Sequence, residues 1–170
     1  GKRVFSKKVQ ISERPHLRGG FASGFFDSDG VATQDREVVV DGVLQGYFLN
    51  AYTARKLGMQ TTANAGGCHN LIVHPGKHDF QALLKKMGRG LLVTELLGQG
   101  INYVNGDYSR GAAGYWVEHG EIVHAVEEIT IAGNLSDMFR NIAAVGNDVL
   151  VRGSKQVGSI LVEKMKVAGS

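Results

Sequence analysis

The chain has 170 residues, of which 43% are apolar and 21% charged, a composition typical of one globular domain that buries a sizeable core. Its formal net charge of +3 is spread along the chain, whereas a nucleic-acid-binding protein normally concentrates basic residues on one face, so no direct nucleic-acid binding is expected. The single cysteine, Cys68, excludes an intramolecular disulfide framework and fits the reducing cytoplasm, and no apolar run approaches the roughly 18 residues of a membrane helix.

Glycine is about twice as frequent as the usual ~7%, with 24 residues in the chain, which favours many turns and bulges between short strands. Short β-like segments at 3–5 and 8–11 come first. A turn-rich stretch from Pro15 to Gly24 follows them. We therefore expect sheet to outweigh helix.

A hairpin followed by a helix is the clearest local prediction. The segments Glu37–Val40 and Val43–Leu49 are joined by Asp41-Gly42, a pair that suits a type I′ turn. Asn50 is expected to cap a helix that ends at Leu57, where a glycine follows.

The middle of the chain predicts a strand, a second helix and another strand. Leu71–Val73 precedes a turn, and Asp79 is a good N-cap for the helix after it. Four apolar residues at helical spacing form the core-facing stripe of that helix: Phe80, Leu83, Leu84 and Met87. Leu91–Leu97 is then predicted as a strand.

The last third again indicates sheet. Between Ile101 and Ile131 we expect strands around Tyr103, Tyr115–Val117 and Ile122–Val123, with turns at Asn105-Gly106 and His119-Gly120. Asn134 or Ser136 is expected to cap a third helix that includes Ile142 and stops at Gly146, before final strands at Val149–Val151 and Ser159–Val162. The pattern predicts an α+β fold, predominantly antiparallel β, barrel-like or two-sheet, with about three short helices.

Two groups of residues resemble metal sites, and neither fits one. Cys68, His69, His74 and His78 are zinc-type ligands, but adjacent residues in a strand point apart and Pro75 interrupts any helical turn. The segment Asp27–Gly30 resembles the start of a calcium loop, yet Val38 stands where the twelfth-position glutamate is required. Exposed loop histidines and an Asx-stabilised turn are the simpler interpretations.

The segment Gly106–Gly114 is the densest unusual stretch, combining Asp107, Ser109 and Arg110 with several glycine and alanine residues. It is consistent with a glycine-bulged strand that another backbone approaches, with Asp107 and Arg110 pairing across an interface. It is equally consistent with a hairpin carrying a surface salt bridge. The residue types leave both interpretations open.

Motifs over nearly the whole chain resemble the C-terminal domain of the TldD/PmbA family (peptidase U62 type), specifically the PmbA (TldE) branch, whose members are also named modulators of DNA gyrase. The matching segments are Phe26–Val31, Asp41–Leu44, Thr53–Gly58, Thr94–Asn102, Gly106–Gly114, Ile129–Leu135 and Val145–Asp148. The ending Met165–Gly169 also resembles the C-terminus of that branch. On this resemblance, residues 1–170 are a single C-terminal domain and the family's N-terminal domain is absent from the chain.

The resemblance implies a heterodimer with a TldD-type catalytic subunit that cleaves unfolded or extended peptides inside a closed chamber. In the catalytic branch, two histidines and a glutamate on an N-terminal-domain helix hold zinc and assist catalysis, and a cysteine of the C-terminal domain completes the site. Val157 stands at the position of that cysteine in this chain. We therefore assign no catalytic and no metal residue here, and expect zinc on the partner subunit.

The leading hypothesis is a non-catalytic, chamber-forming subunit domain of a heteromeric metallopeptidase, inactive as this fragment alone, with roles in microcin maturation, antitoxin turnover and modulation of DNA gyrase. The alternatives are a self-sufficient metallopeptidase in full-length form and a gyrase-directed interaction module. Five polar residues at strand ends are the interface or peptide-channel candidates: Asp107, Ser109, Arg110, Asn147 and Asp148.

Overall fold

The structure, a computed structural model, describes residues 1–169 and divides them into two compact units. Unit 1 consists of Gly1–Pro75 and Asp148–Gly158, and unit 2 of Gly76–Asn147 and the segment from Ser159 onward. Mostly antiparallel strands in three sheets, with three short helices, confirm the predicted α+β class. Within the described residues, none of these helices has the length and apolar character needed to cross a membrane.

Unit 1 contains a six-stranded sheet in the order β3-β2-β1-β4-β10-β9. Its neighbours pair antiparallel, except that β10 runs parallel to β4. The strands are β1 (Ile11–Glu13), β2 (Arg36–Val40), β3 (Val43–Leu44), β4 (Leu71–Val73), β9 (Leu150–Arg152) and β10 (Lys155–Val157). The one helix of the unit, α1, spans Ala51–Lys56.

The predicted hairpin is present and turns at Asp41-Gly42, where both residues have positive φ, as a type I′ turn requires. Its second strand is shorter than predicted and ends at Leu44. Just beyond that point the Gln45 N–H still donates to the Val38 carbonyl of β2 at 2.9 Å, and further on the carbonyl of Tyr47 accepts a hydrogen bond from the Arg36 side chain at 2.9 Å. The predicted strand at 3–5 is reduced to one isolated bridge with β3.

Helix α1 begins where the sequence predicts. The side chain of Asn50 accepts a hydrogen bond from the Thr53 N–H at 2.8 Å, and the Thr53 hydroxyl accepts one from the Asn50 N–H at 3.1 Å. This reciprocal capping box satisfies two backbone donors that a helix start leaves without partners. Gly58 has a positive φ just after the C-cap, as predicted.

Unit 2 contains a four-stranded antiparallel sheet in the order β12-β7-β6-β5 and a two-stranded sheet of β11 and β8. The strands are β5 (Gly90–Leu97), β6 (Asp107–Glu118), β7 (Glu121–Asn134), β8 (Ile142–Val145), β11 (Ile160–Val162) and β12 (Lys166–Ala168). The helices are α2 (Phe80–Met87), which Asp79 caps as predicted, and α3 (Leu135–Arg140).

The β6–β7 hairpin dominates unit 2 and turns at His119-Gly120, as predicted. Four buried residues form a core cluster on one face of this hairpin: Tyr108, Ala112, Ile129 and Ile131. The strand predicted around Tyr103 is wrong, because that residue lies in a turn before β6.

The third helix is shorter than predicted. It is capped by Asn134 and ends at Arg140, and Ile142 belongs to strand β8 instead. All four β8 residues are buried and three of them pair with β11. A strand buried on both faces is a continuous apolar run, which periodicity alone does not distinguish from a helix. Strands β10 and β12 were not predicted; each has only three residues and lacks the alternation that marks a strand.

Candidate functional site

Three of the predicted site residues lie at the start of β6, on both of its faces. Successive residues of a strand point to opposite sides, so Asp107 and Ser109 share one face and Arg110 lies on the other. No ion pair joins Asp107 to Arg110 among residues 1–169. The surface salt bridge considered for this segment is therefore not formed.

Asp107 instead organises the preceding loop. Its carboxylate accepts hydrogen bonds from Asn105 Nδ2 at 2.8 Å and from Asn134 Nδ2 at 3.4 Å. Asn134 also donates to the carbonyl of Asn105 at 2.9 Å while capping α3. These bonds hold the loop against the start of α3. At its tip, Tyr103 and Val104 are 86% and 97% exposed, so a held loop presents two apolar side chains to solvent.

Arg110 covers part of the free edge of the four-stranded sheet. Its guanidinium donates to the carbonyl of Leu96 at 3.3 Å and to that of Leu97 at 3.5 Å, both at the end of edge strand β5. Exposed edge carbonyls invite pairing with another chain, and a charged side chain over them limits it. Ser109 is exposed, and its N–H donates to the carbonyl of Gly100 at 2.8 Å.

Asn147 and Asp148 lie where the chain passes from one unit to the other. Asn147 is the last residue of the first unit 2 segment, and its N–H donates to the carbonyl of His78 at 2.8 Å. Asp148 is the first residue of the segment that returns to unit 1. Both side chains are exposed. The role of these two residues and the three on β6 in an interface or peptide channel stays a prediction.

The cysteine and the three histidines considered as metal ligands are half-buried, whereas exposed loop histidines were expected. The ring nitrogens of His69 lie 3.1 Å from the carbonyl oxygens of Ala22 and Ala63, and His74 Nε2 lies 2.9 Å from the hydroxyl of Ser12. Within the described part of the chain, no three His, Cys, Asp or Glu residues are grouped so that they could hold a metal ion. The residues present do not fit a zinc site.

Unit 1 carries six exposed aromatic residues that the sequence analysis did not identify as a group. We call them together the aromatic surface, and they are 43–78% exposed: Phe21, Phe25, Phe26, Tyr47, Phe48 and Tyr52. Exposed apolar side chains indicate an interaction site where they lie together in one patch. The sequence signal that could have identified these residues as exposed is their position, because they lie in turn-rich segments and around α1 and not in alternating strands.

Asp27 holds the turn that follows Phe26 and joins it to the segment around Ala65. One carboxylate oxygen accepts from the N–H groups of Asp29 and Val31, both at 2.9 Å, and the other from the N–H of Ala65 at 3.0 Å. This is the predicted Asx-stabilised turn. Burial opposes ionisation, but the three N–H donors and the nearby charge of His69 outweigh it and lower the pKa of Asp27.

The lowered pKa of Asp27 predicts a pH dependence of folding. Because the folded-state pKa is below the unfolded value of about 3.9, the stability from this carboxylate is present above that value and is lost as pH falls through the folded pKa. In Asp27→Asn the free energy of unfolding should be lower at neutral pH and should depend less on pH. Urea unfolding between neutral and acidic pH measures both.

The exposed carboxylate of Asp35 provides the matched control, since Asp35→Asn removes the same charge without removing the three-donor site. That variant should have a free energy of unfolding at neutral pH close to that of the wild type. Identical pH profiles for the wild type and Asp27→Asn would contradict the prediction.

Comparisons with known proteins agree with the geometry of the fold. The sequence model of the PmbA/TldA metallopeptidase C-terminal domain matches residues 1–169. The metalloprotease PmbA of Escherichia coli O157:H7 is 53% identical over 99% of this chain, and its homologue from Haemophilus influenzae is 54% identical over 100%. This chain spans 38% of the length of each relative.

A solved structure extends the comparison to the fold. A proposed modulator of a DNA gyrase from Thermotoga maritima superposes with a TM-score of 0.90 at 44% identity, covering 99% of this chain and 41% of that one. Sequence and structure therefore match the same family over nearly the full length of the chain. The chain belongs to the PmbA/TldD metallopeptidase family and corresponds to its C-terminal domain.

Proposed function

We propose that residues 1–170 act as one non-catalytic C-terminal domain that helps to build the chamber of a heteromeric, cytoplasmic metallopeptidase. Its partner would be a TldD-type catalytic subunit that carries the zinc ion. The substrates would be unfolded or extended peptides, including microcin precursors and antitoxins, and any effect on DNA gyrase would follow from processing such peptides.

The observation that carries this proposal is the aromatic surface of unit 1. Tyrosine and phenylalanine are enriched in protein interfaces, where they supply large contact areas with few rotatable bonds to immobilise. Phe21, Phe25 and Tyr52 are each at least 65% exposed. A surface of this kind favours a subunit that functions in contact with another protein.

Hydrogen bonds hold the segments that carry the aromatic surface in place. The Ala51 N–H at the start of α1 donates to the side chain of Asp29 at 2.9 Å, and the Ser28 N–H donates to the carbonyl of Ala65 at 3.1 Å. The guanidinium of Arg36 lies 4.9 Å from the centre of the Phe48 ring. Segments fixed before binding lose less conformational entropy on association, which supports a role in a stable complex.

The metal-ligand atoms that this chain offers favour a non-catalytic role over a catalytic one. Val157, at the position that corresponds to the ligand cysteine of the catalytic branch, lies on β10 opposite Leu150 and offers no ligand atom. A catalytic zinc needs three protein ligands and an open position for water. The proposal therefore places both on the partner subunit.

The test combines binding and cleavage with the full-length protein. Peptide cleavage is assayed for this protein alone and with a TldD-type partner, each with and without a chelator. Chelator-sensitive cleavage only in the mixture is the expected result. Replacing Phe26 and Tyr52 together by serine should weaken partner binding by at least about 100-fold, because central aromatic residues of interfaces often contribute 2 kcal/mol or more each.

Tyr115→Ser is the matched control, since it removes an exposed aromatic side chain of unit 2 that lies outside the aromatic surface. It should leave affinity within a few-fold of wild type. The same binding assay tests the polar candidates, because charge reversal at Asp107 and Arg110 should weaken partner binding, and unchanged binding would contradict their assignment. Cleavage by this protein alone would refute the proposal in favour of a self-sufficient peptidase.

A further inference from the structure

Unit 2 contains an open cleft of about 680 Å³ that the proposed function does not use. Its walls come from helix α2, from the first half of β5 and from the segment 159–167. The volume lies within the range of about 300–1,000 Å³ that is typical of small-molecule sites. All of its lining residues belong to unit 2, so the cleft is complete within that unit.

The uncharged side chains that line the cleft are mostly apolar. Apart from Ser159 and Trp116, every uncharged lining residue is glycine or carries an apolar side chain, and the Trp116 indole N–H is already bonded to Glu118 at 3.0 Å. A hydrocarbon chain needs no hydrogen-bond partner, so these side chains suit an alkyl body.

The charged residues of the lining are mostly basic. They are Lys86, Arg89 and Lys164, opposed by Glu163. Arg89 is partly engaged, since its Nε lies 3.7 Å from Glu118 and its guanidinium lies 5.5 Å from the centre of the Trp116 ring. The ammonium groups of Lys86 and Lys164 are exposed and have no ion pair or hydrogen bond within residues 1–169. Two free cations beside an apolar cleft complement an anionic head group.

We propose that this cleft binds an amphipathic carboxylate of the fatty-acid type, with its alkyl chain against α2 and β5 and its carboxylate facing Lys86 and Lys164. The alkyl chain is stabilised by removal of apolar surface from water, about 25 cal/mol for each Å² buried. The carboxylate gains charge-assisted hydrogen bonds from the ammonium groups. Nothing in this inference depends on the peptidase role.

Trp116 gives a local readout, because it lines the cleft and is the only tryptophan among the 170 residues of this chain. Decanoate, kept below its micelle-forming concentration, is titrated into the protein while tryptophan fluorescence is recorded. A saturable change with one site per chain is expected. Decanol, which has the same alkyl chain and no charge, should bind about tenfold more weakly, as should the double variant Lys86→Gln/Lys164→Gln binding decanoate.

A second double variant, Lys2→Gln/Lys7→Gln, changes net charge equally but lies in unit 1, and it should bind decanoate as the wild type does. Thermal unfolding of each variant confirms that the fold is retained. The proposal is overturned if decanoate gives no saturable change, if decanol binds as tightly as decanoate, or if the two double variants bind decanoate equally.

Discussion

Replacing Glu13 by alanine is expected to lower the free energy of unfolding by about 3–5 kcal/mol, the largest loss we expect from a single side-chain truncation in unit 1. Glu13 is a carboxylate that is only 1% exposed, on the central part of the six-stranded sheet. Removing one partner of a buried ion pair leaves the other charge buried without compensation. Chemical denaturation followed by circular dichroism measures the loss.

The partners of Glu13 explain why the loss is large. One carboxylate oxygen accepts hydrogen bonds from Asn64 Nδ2 at 2.7 Å and from the His69 N–H at 2.8 Å, and the other accepts from Arg36 Nε at 2.7 Å. Alanine would leave all three donors without their acceptor. Arg36 also donates to the carbonyl of Tyr47 and to the side chain of Asn64, so the strand, the loop at 61–67 and the segment before α1 would loosen together.

Glu37 is the matched control, because it is also a glutamate of the same sheet paired with an arginine, but one that reaches solvent. Its carboxylate bonds to Arg14, and both side chains are more than a quarter exposed. Exposed ion pairs contribute roughly 0–1 kcal/mol, so Glu37→Ala should cost about 1 kcal/mol at most. Equal losses for Glu13→Ala and Glu37→Ala would contradict the importance we assign to burial.

The network around Glu13 also shows what the sequence does not predict. Its members are far apart along the chain, with Asn64 51 residues and Arg36 23 residues from Glu13. A glutamate is normally solvent-exposed, and no local pattern marks one that will be buried. Local signals succeeded where the chemistry is local: Asn50, Asp79 and Asn134 all cap helices as predicted, because a cap uses the N–H groups of the next few residues.

In the candidate site, too, local features were predicted from the sequence and long-range contacts were not. The sequence identified Gly106–Gly114 as unusual, and it left open whether another backbone approaches a glycine of this segment. At Gly114 a backbone does approach closely, and it belongs to the neighbouring strand β5. Which surface residues stay exposed depends on long-range pairing, so the aromatic surface could not be derived from composition or periodicity alone.

Gly114→Ala is expected to destabilise the protein by about 3 kcal/mol, since the added methyl group has no space. A Cβ at this position would overlap the carbonyl oxygen of Leu92. It would also lie 2.9 Å from the carbonyl carbon of Leu92 and 3.1 Å from the Cα of Val93. These are backbone atoms of the paired strand, which cannot move as a flexible side chain can. The register of β6 shifts against both neighbours beside Gly114, so the close approach is built into the pairing.

Gly133→Ala is a closely matched comparison, because Gly133 lies in β7 of the same hairpin and a Cβ there would meet side chains and no backbone, Met138 at 3.4 Å and Met165 at 4.0 Å. Neither glycine has the positive φ that would strain alanine. Alanine at 133 should therefore change the free energy of unfolding by no more than about 1 kcal/mol, and it gains from the reduced entropy of the unfolded chain. If Gly114→Ala proved as mild as Gly133→Ala in the same denaturation assay, β5 and β6 would not approach as closely as the structure shows. A large loss at 114 alone would establish that this glycine is required for the strand pairing that positions the β6 candidates.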